Sequence, residues 1–207
     1  MRLNLNTMRQ LVRSSADMVN SDFVSDDEIS VWINNEAAEL HELLIAADED
    51  YEMVRLSIVV TAGVEDYPLP DNLLRIKKVF DVTSGKRVPI PRYNLDDIDA
   101  SDSAPRYHPI GDRLSLVPPF NGKVELWYYP MAKMLFEDND TIEISVIWGW
   151  EEFIVQGAAA KCLAKEESDP SLCLGRKEQV RQRIITMRKP RDASGRRTII
   201  DRSGRDI

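Results

Sequence analysis

Paired carboxylates are the first residues in this chain with the means to do chemistry: Asp96-Asp97-Asp99, Asp138 to Asp140, Glu151-Glu152 and Glu166-Glu167. Two carboxylates cleave a glycosidic bond when a fold holds them about 5 to 9 Å apart across a sugar. Nothing in the pattern turns any of these pairs toward a cleft, so solvated faces are expected. "EDNDTIE" has the acid density of a calcium loop but lacks the Gly at the sixth position and the Glu at the twelfth. His41 and His108 lie far apart in sequence, with no Cys or His near either. Cys162 and Cys173 are too few and too widely spaced for a zinc cluster and read as buried free thiols. Neither a phosphate-binding Gly-x-x-x-x-Gly-Lys-Ser/Thr loop nor a Gly-x-Ser-x-Gly elbow is present. The expectation is a protein that is not an enzyme, with no catalytic residues, no metal and no cofactor.

The charge distribution is more informative. From Arg176 to the end there are 11 Lys or Arg against 4 acids, a balance of +7, so with a total of −8 the first 175 residues carry −15. Arg188, Lys189, Arg191, Arg196, Arg197, Arg202 and Arg205 supply most of the basic end, and Ile199-Ile200 is its one apolar pair. Such an arm can neutralise phosphates or pair with carboxylates on a protein, where the guanidinium fork adds geometry. It has no aromatic residue on which single-stranded bases would stack. Asp192, Asp201 and Asp206 interrupt the charge, which favours a protein partner. A solvated, unstructured end is the plain alternative.

These residues must be positioned by elements that the hydropathy pattern marks. Thr7 and Gln10 have capping-box spacing, which predicts a first helix from Thr7 that fades near Asn20. Ser25 and Glu28 form a sharper box, and Ile29, Ile33, Ala37, Leu40 and Leu44 follow as the stripe of a packed helix. His41 falls on the more polar side of that helix. The period then changes. "MVRLSIVV" reads as a strand, and Pro68 and Pro70 favour an extended edge after it. "LLRIKKVFDV" and "KRVPI" read as strands paired about a Ser84-Gly85 turn. Within "YHPIGDRLSLVPPFNGKVELWYYP", residues 107 to 130, Leu114 and Leu116 alternate, then Val124, Leu126 and Tyr128. This predicts a hairpin about Asn121-Gly122 with positive φ at the turn. Trp127 and Tyr129 occupy the opposite face, so the last strand must be covered on both sides, by helices or by a neighbouring subunit. Leu126, Trp127, Tyr128 and Tyr129 are therefore candidates for a subunit interface, if helices do not cover them.

Helical spacing returns with Trp150, Phe153, Ile154, Gly157, Ala158 and Cys162, whose small residues suit close packing. Asp169-Pro170 starts a last helix carrying Leu174, Val180, Ile184 and Met187 and ending before Pro190. The predicted fold class is α+β: a helical bundle with an inserted antiparallel β subdomain and an extended C-terminal arm. Residues 1–50 and 136–189 would form the bundle, 51–135 the β subdomain and 190–207 the arm. No apolar run reaches the roughly 18 residues of a membrane span, and the start "MRLNLNTMRQ" lacks a signal peptide's apolar block, which predicts a soluble intracellular protein.

The order of "MRQLVRSSADMVNSDFVSDDEISVWINNEAAELHELL", "YPLPDNLLRIKKV", "GDRLSLVPPFNGKVELWYYP" and "WGWEEFIVQGAAAKCLAKEE" resembles the head-to-tail connector proteins of tailed bacteriophages, also called adaptor or head completion proteins. The resemblance covers most of residues 7 to 187. It implies a virion structural protein at the head–tail junction, assembled in the host cytoplasm, forming a ring with itself, commonly of twelve copies, beneath the portal protein. It also implies that the C-terminal arm, here residues 188 to 205 with Ile199-Ile200, grips the portal. A downstream tail or nozzle protein would bind below, and genomic DNA would pass through without specific contact. The acidic body would line that channel and repel the phosphates. No membrane is implied. One branch of the family is linked to cell-wall hydrolysis, for which no residue here can be matched. The competing reading is a nucleic-acid-binding module that uses the basic tail.

Overall fold

The structure is a computed structural model, and it describes residues 3–19, 21–47, 51–93, 104–142 and 149–188. Helix α1 (Leu5–Ser15) begins two residues earlier than its spacing predicts, because Asn4 is the cap and its Oδ1 accepts from Thr7 N at 2.9 Å. Thr7 is thus the capped amide and not the cap. The helix also stops early: Asp17 turns left-handed at φ 57°. Helix α2 (Asp26–Ala47) starts as expected. Ser25 Oγ accepts from Glu28 N at 3.2 Å, and Glu28 Oε2 accepts from Ser25 N at 3.1 Å. Its whole predicted stripe, from Ile29 to Leu44, is buried.

Helix α3 (Glu151–Lys165) is buried at every position from Phe153 to Ala160. A helix apolar on all sides belongs at the centre of a core, and α3 packs against α1, α2 and α4 (Ser171–Arg188). Asp169 caps α4, its Oδ1 accepting from Ser171 N at 2.9 Å. The buried face of α4 is Cys173, Val180 and Ile184, whereas Leu174 and Met187 are exposed. Val180 and Ile184 are thus buried as the spacing predicts, while Leu174 and Met187 are not. Lys177 takes the inward position that an apolar pattern cannot reveal.

Between α2 and α3 the chain forms two antiparallel sheets. One has four strands in the order β1 (Val54–Val60), β7 (Gly122–Pro130), β3 (Leu73–Asp81), β4 (Val88–Ile90). The other has three, β2 (Asp66–Pro68), β6 (Arg113–Val117), β5 (Arg106–Ile110). Their inner faces share one cluster that includes Val79, Tyr107, Leu114, Leu116, Val124 and Leu126. Among the described residues, four helices and an antiparallel β subdomain make the α+β architecture that the periodicities predict.

The predicted pairing of residues 113–117 with 122–130 does not occur. Strand β6 pairs with β5 about a Gly111-Asp112 turn, where Gly111 has φ 59°, and with β2. Strand β7 lies in the other sheet, between β1 and β3. The segment from Pro118 to Asn121 crosses from one sheet to the other, and neither Asn121 nor Gly122 has positive φ. Gly122 serves another purpose: a Cβ there would collide with the Thr83 side chain, whose Oγ1 accepts from Lys123 N at 3.0 Å. The alternation of β6 and β7 is real, but it records two strands facing each other across a core.

Polar contacts join the β subdomain to the helices. Buried Asn34 on α2 donates through Nδ2 to Leu135 O at 2.9 Å and accepts from Leu135 N at 2.8 Å, so its amide acts as a short stretch of partner backbone. Nearby, His41 Nε2 lies 2.8 Å from Pro130 O, at the end of β7. His41 is buried and meets the Tyr51 ring edge-on, contrary to the polar position expected for it. Burial beside a carbonyl satisfies the ring nitrogen without exposing the residue to water.

Candidate interaction surfaces

The four β7 candidates separate by strand alternation. Leu126 and Tyr128 point into the core between the sheets, and Tyr129 joins the helical core. All three are buried within this subunit. Trp127 is half-buried on the outer face of the four-stranded sheet. The register puts Arg55 of β1 and Lys78 of β3 on either side of it. The Arg55 guanidinium carbon stands 4.4 Å from the Trp127 ring centroid and that of Arg87 5.5 Å, with Phe80 tilted against the indole at 5.0 Å. Cations over aromatic faces are held by the ring quadrupole. Trp127 Nε1 donates to Glu125 Oε2 at 2.8 Å, and Arg87 Nε donates to the same oxygen at 2.7 Å. Arg87 first, then Trp127, holds the Glu125 carboxyl below the usual carboxylate range. Further along the face, Arg75 lies 5.0 Å from the Tyr129 ring centroid.

A second charged cluster is internal. Glu36 of α2, only 2 % exposed, meets Lys177 Nζ of α4 at 2.7 Å and Lys161 Nζ of α3 at 2.9 Å. Lys177 also reaches Glu39 at 2.7 Å and lies 4.5 Å from the Phe153 ring centroid. Burial opposes the charge on Lys177, but bonding to Glu36 and Glu39 outweighs it and raises the ammonium above its ordinary pKa. Gly157 makes room: a Cβ there would collide with the Glu36 carboxylate. Sequence reasoning found the small residues of α3 and missed this cluster. The available signal was Glu36 beside Ala37 of the apolar stripe, an acid at a position that faces the core.

The remaining chemical candidates are placed without a shared site. His108 Nδ1 is 2.8 Å from Tyr93 O. Cys162 and Cys173 are free and buried, and burial pushes the Cys162 thiol up to about 11 and raises that of Cys173. Asp138 pairs with Arg9 at 2.6 Å, and Asp140 accepts from the amides of Phe136 and Glu137. Among the described residues no group of three or more His, Cys, Asp or Glu is placed to hold a metal ion, and no helix is long and apolar enough to cross a membrane. Asp96, Asp97 and Asp99 lie outside the described residues. So does the arm from Lys189 onward, with Arg191, Arg196, Arg197, Ile199, Ile200, Arg202 and Arg205; Arg188 is the last residue of α4.

The family model described as SU10 adaptor protein matches residues 6–200, nearly the full length. The chain belongs to that family. It is an adaptor of the phage head-to-tail connector type, a structural role rather than an enzymatic one. No curated protein matches it.

Proposed function

We propose that this adaptor forms a ring with copies of itself beneath the portal of a tailed phage, extends the DNA channel and offers the surface to which the next tail or nozzle protein attaches. It would act in the virion, at the head–tail junction, after assembly in the host cytoplasm. The observation that carries this reading is the family match over residues 6–200. The proposed portal contact is the arm: Arg188, Lys189, Arg191, Arg196, Arg197, Arg202 and Arg205 would pair with portal carboxylates, and Ile199-Ile200 would fill an apolar pocket. Twelve copies is the number that the resemblance implies. A closed ring needs two different complementary surfaces per subunit. Of the four β7 candidates for a subunit or tail interface, Trp127 is the one with an outer edge to offer. Leu126, Tyr128 and Tyr129 would contribute by holding the sheet's shape.

Electron microscopy of this protein mixed with its own portal tests the reading. The expected result is a ring on one end of the portal, absent when residues 188–207 are removed. A protein that leaves the portal bare would overturn it.

A further inference from the structure

The first 175 residues carry a large negative excess, yet one face of the β subdomain has the opposite sign. On the outer face of β1, β7 and β3, Arg55, Arg75, Lys78 and Lys123 are all exposed, and among the described residues none of them meets a carboxylate within ion-pair distance. The one acid at the centre of this face, Glu125, is bonded by Arg87 and Trp127 and is also within the field of Arg55, so one carboxylate is shared among several cations. The cations are also preorganised. Arg55 is laid on the Trp127 indole and Arg75 on the Tyr129 ring, so less side-chain freedom is lost when an anion arrives.

We infer that this sheet face is a contact site for the phosphate backbone of duplex DNA. The inference rests on the connector reading for its setting, because a connector is threaded by the genome. From Lys123 to Tyr129 the face runs about 20 Å, and three strands make it about 10 Å wide. A duplex carries one charge per roughly 1.7 Å of axis with both strands counted, so the few phosphates on its near side face the four cations along that length. An acidic protein surface dilutes its carboxylates with neutral and basic groups and offers no such density. The chemistry also selects backbone over base. Phe80 and two guanidinium groups already pack around Trp127 and compete with base stacking, so the contact is independent of sequence. This face would give DNA a weak, salt-dependent hold.

The test is fluorescence anisotropy of a labelled short duplex of random sequence, titrated with the full chain between about 50 and about 200 mM salt. The comparison is the triple variant Arg55→Gln/Arg75→Gln/Lys78→Gln, with thermal unfolding as the check on folding. The wild type is expected to bind, with a log–log salt slope that the variant reduces by roughly three, about one per lost phosphate contact. Cations of the C-terminal arm are common to both proteins and cancel in that difference. Equal slopes, or no binding by the wild type, overturn the DNA contact. Portal decoration by the same two proteins separates the readings. A variant that decorates normally while DNA binding is equal leaves the connector reading standing and removes this one. A variant that fails to decorate with unchanged DNA binding makes the face a protein interface, which also removes it. A wild type that binds DNA through this face but ignores the portal keeps the contact and removes the connector.

Discussion

Gly157 and Glu36 meet where α2 crosses α3, and the absence of a single methyl group there lets a carboxylate lie against the helix backbone between two lysines. Gly157→Ala forces that carboxylate aside and is expected to cost about 1–3 kcal/mol, read as a lower midpoint in urea. The same substitution made in a Glu36→Ala background should cost much less, because the colliding group is gone. A double-mutant cycle therefore shows strong coupling between the two positions, and additive effects would refute the collision. The thiols give a second expectation. Cys162 and Cys173 are buried and burial raises both pKa values, so the native protein should react slowly with a thiol reagent at neutral pH. Both should react at once in denaturant. The buried thiols were legible in the sequence, whereas the contact of Glu36 with Gly157 was not, because a stripe of alanines and a glycine names no partner.

At the scale of elements, the helix starts were the most legible features. Ser25-Glu28 and Asp169-Pro170 act locally, through bonds to amides two or three residues away, so the chain states them directly. Asp169→Ala should remove the α4 cap and destabilise by about 0.5–2 kcal/mol, checked by thermal unfolding. Strand partners were not legible in this way. Period-two alternation says which side chains face a core, but the bonding partners of β7 are β1 and β3, which come much earlier in the chain. The join between α2 and the segment after β7 was likewise invisible. Asn34→Ala leaves the buried amide and carbonyl of Leu135 without partners, at about 1–3 kcal/mol for each group. Amide exchange at Leu135 should rise well above that of Leu40, at the centre of α2.

For the whole molecule, the carboxylates set the response to acid. Glu28 is held below its ordinary 4.5 by Lys165 and Ser25, Glu125 by Arg87 and Trp127, Asp140 below 3.8 by the amides of Glu137 and Phe136, and Asp169 by Ser171. In each case the folded pKa is the lower one, so in that range the unfolded chain binds more protons and stability rises with pH. The contribution is complete above the ordinary values and is lost as pH falls through the lowered ones. Thermal midpoints measured at low salt should be level down to about pH 5 and then decline. A flat profile to pH 3 would show that these contacts contribute nothing.

The α+β class, the two helical ends around a β insert, the packed stripe of α2 and the segregation of charge toward the C-terminus were all determined by the sequence by itself. Each rests on local periodicity, on capping chemistry or on simple counting. Tertiary structure alone decided that residues 113–117 and 122–130 belong to different sheets, that Lys177 and Glu36 share the interior, and that Arg55, Arg75, Lys78 and Lys123 share one face with Trp127. These depend on contacts between residues far apart in the chain, and a linear pattern records that a side chain is buried or charged without recording what lies opposite it.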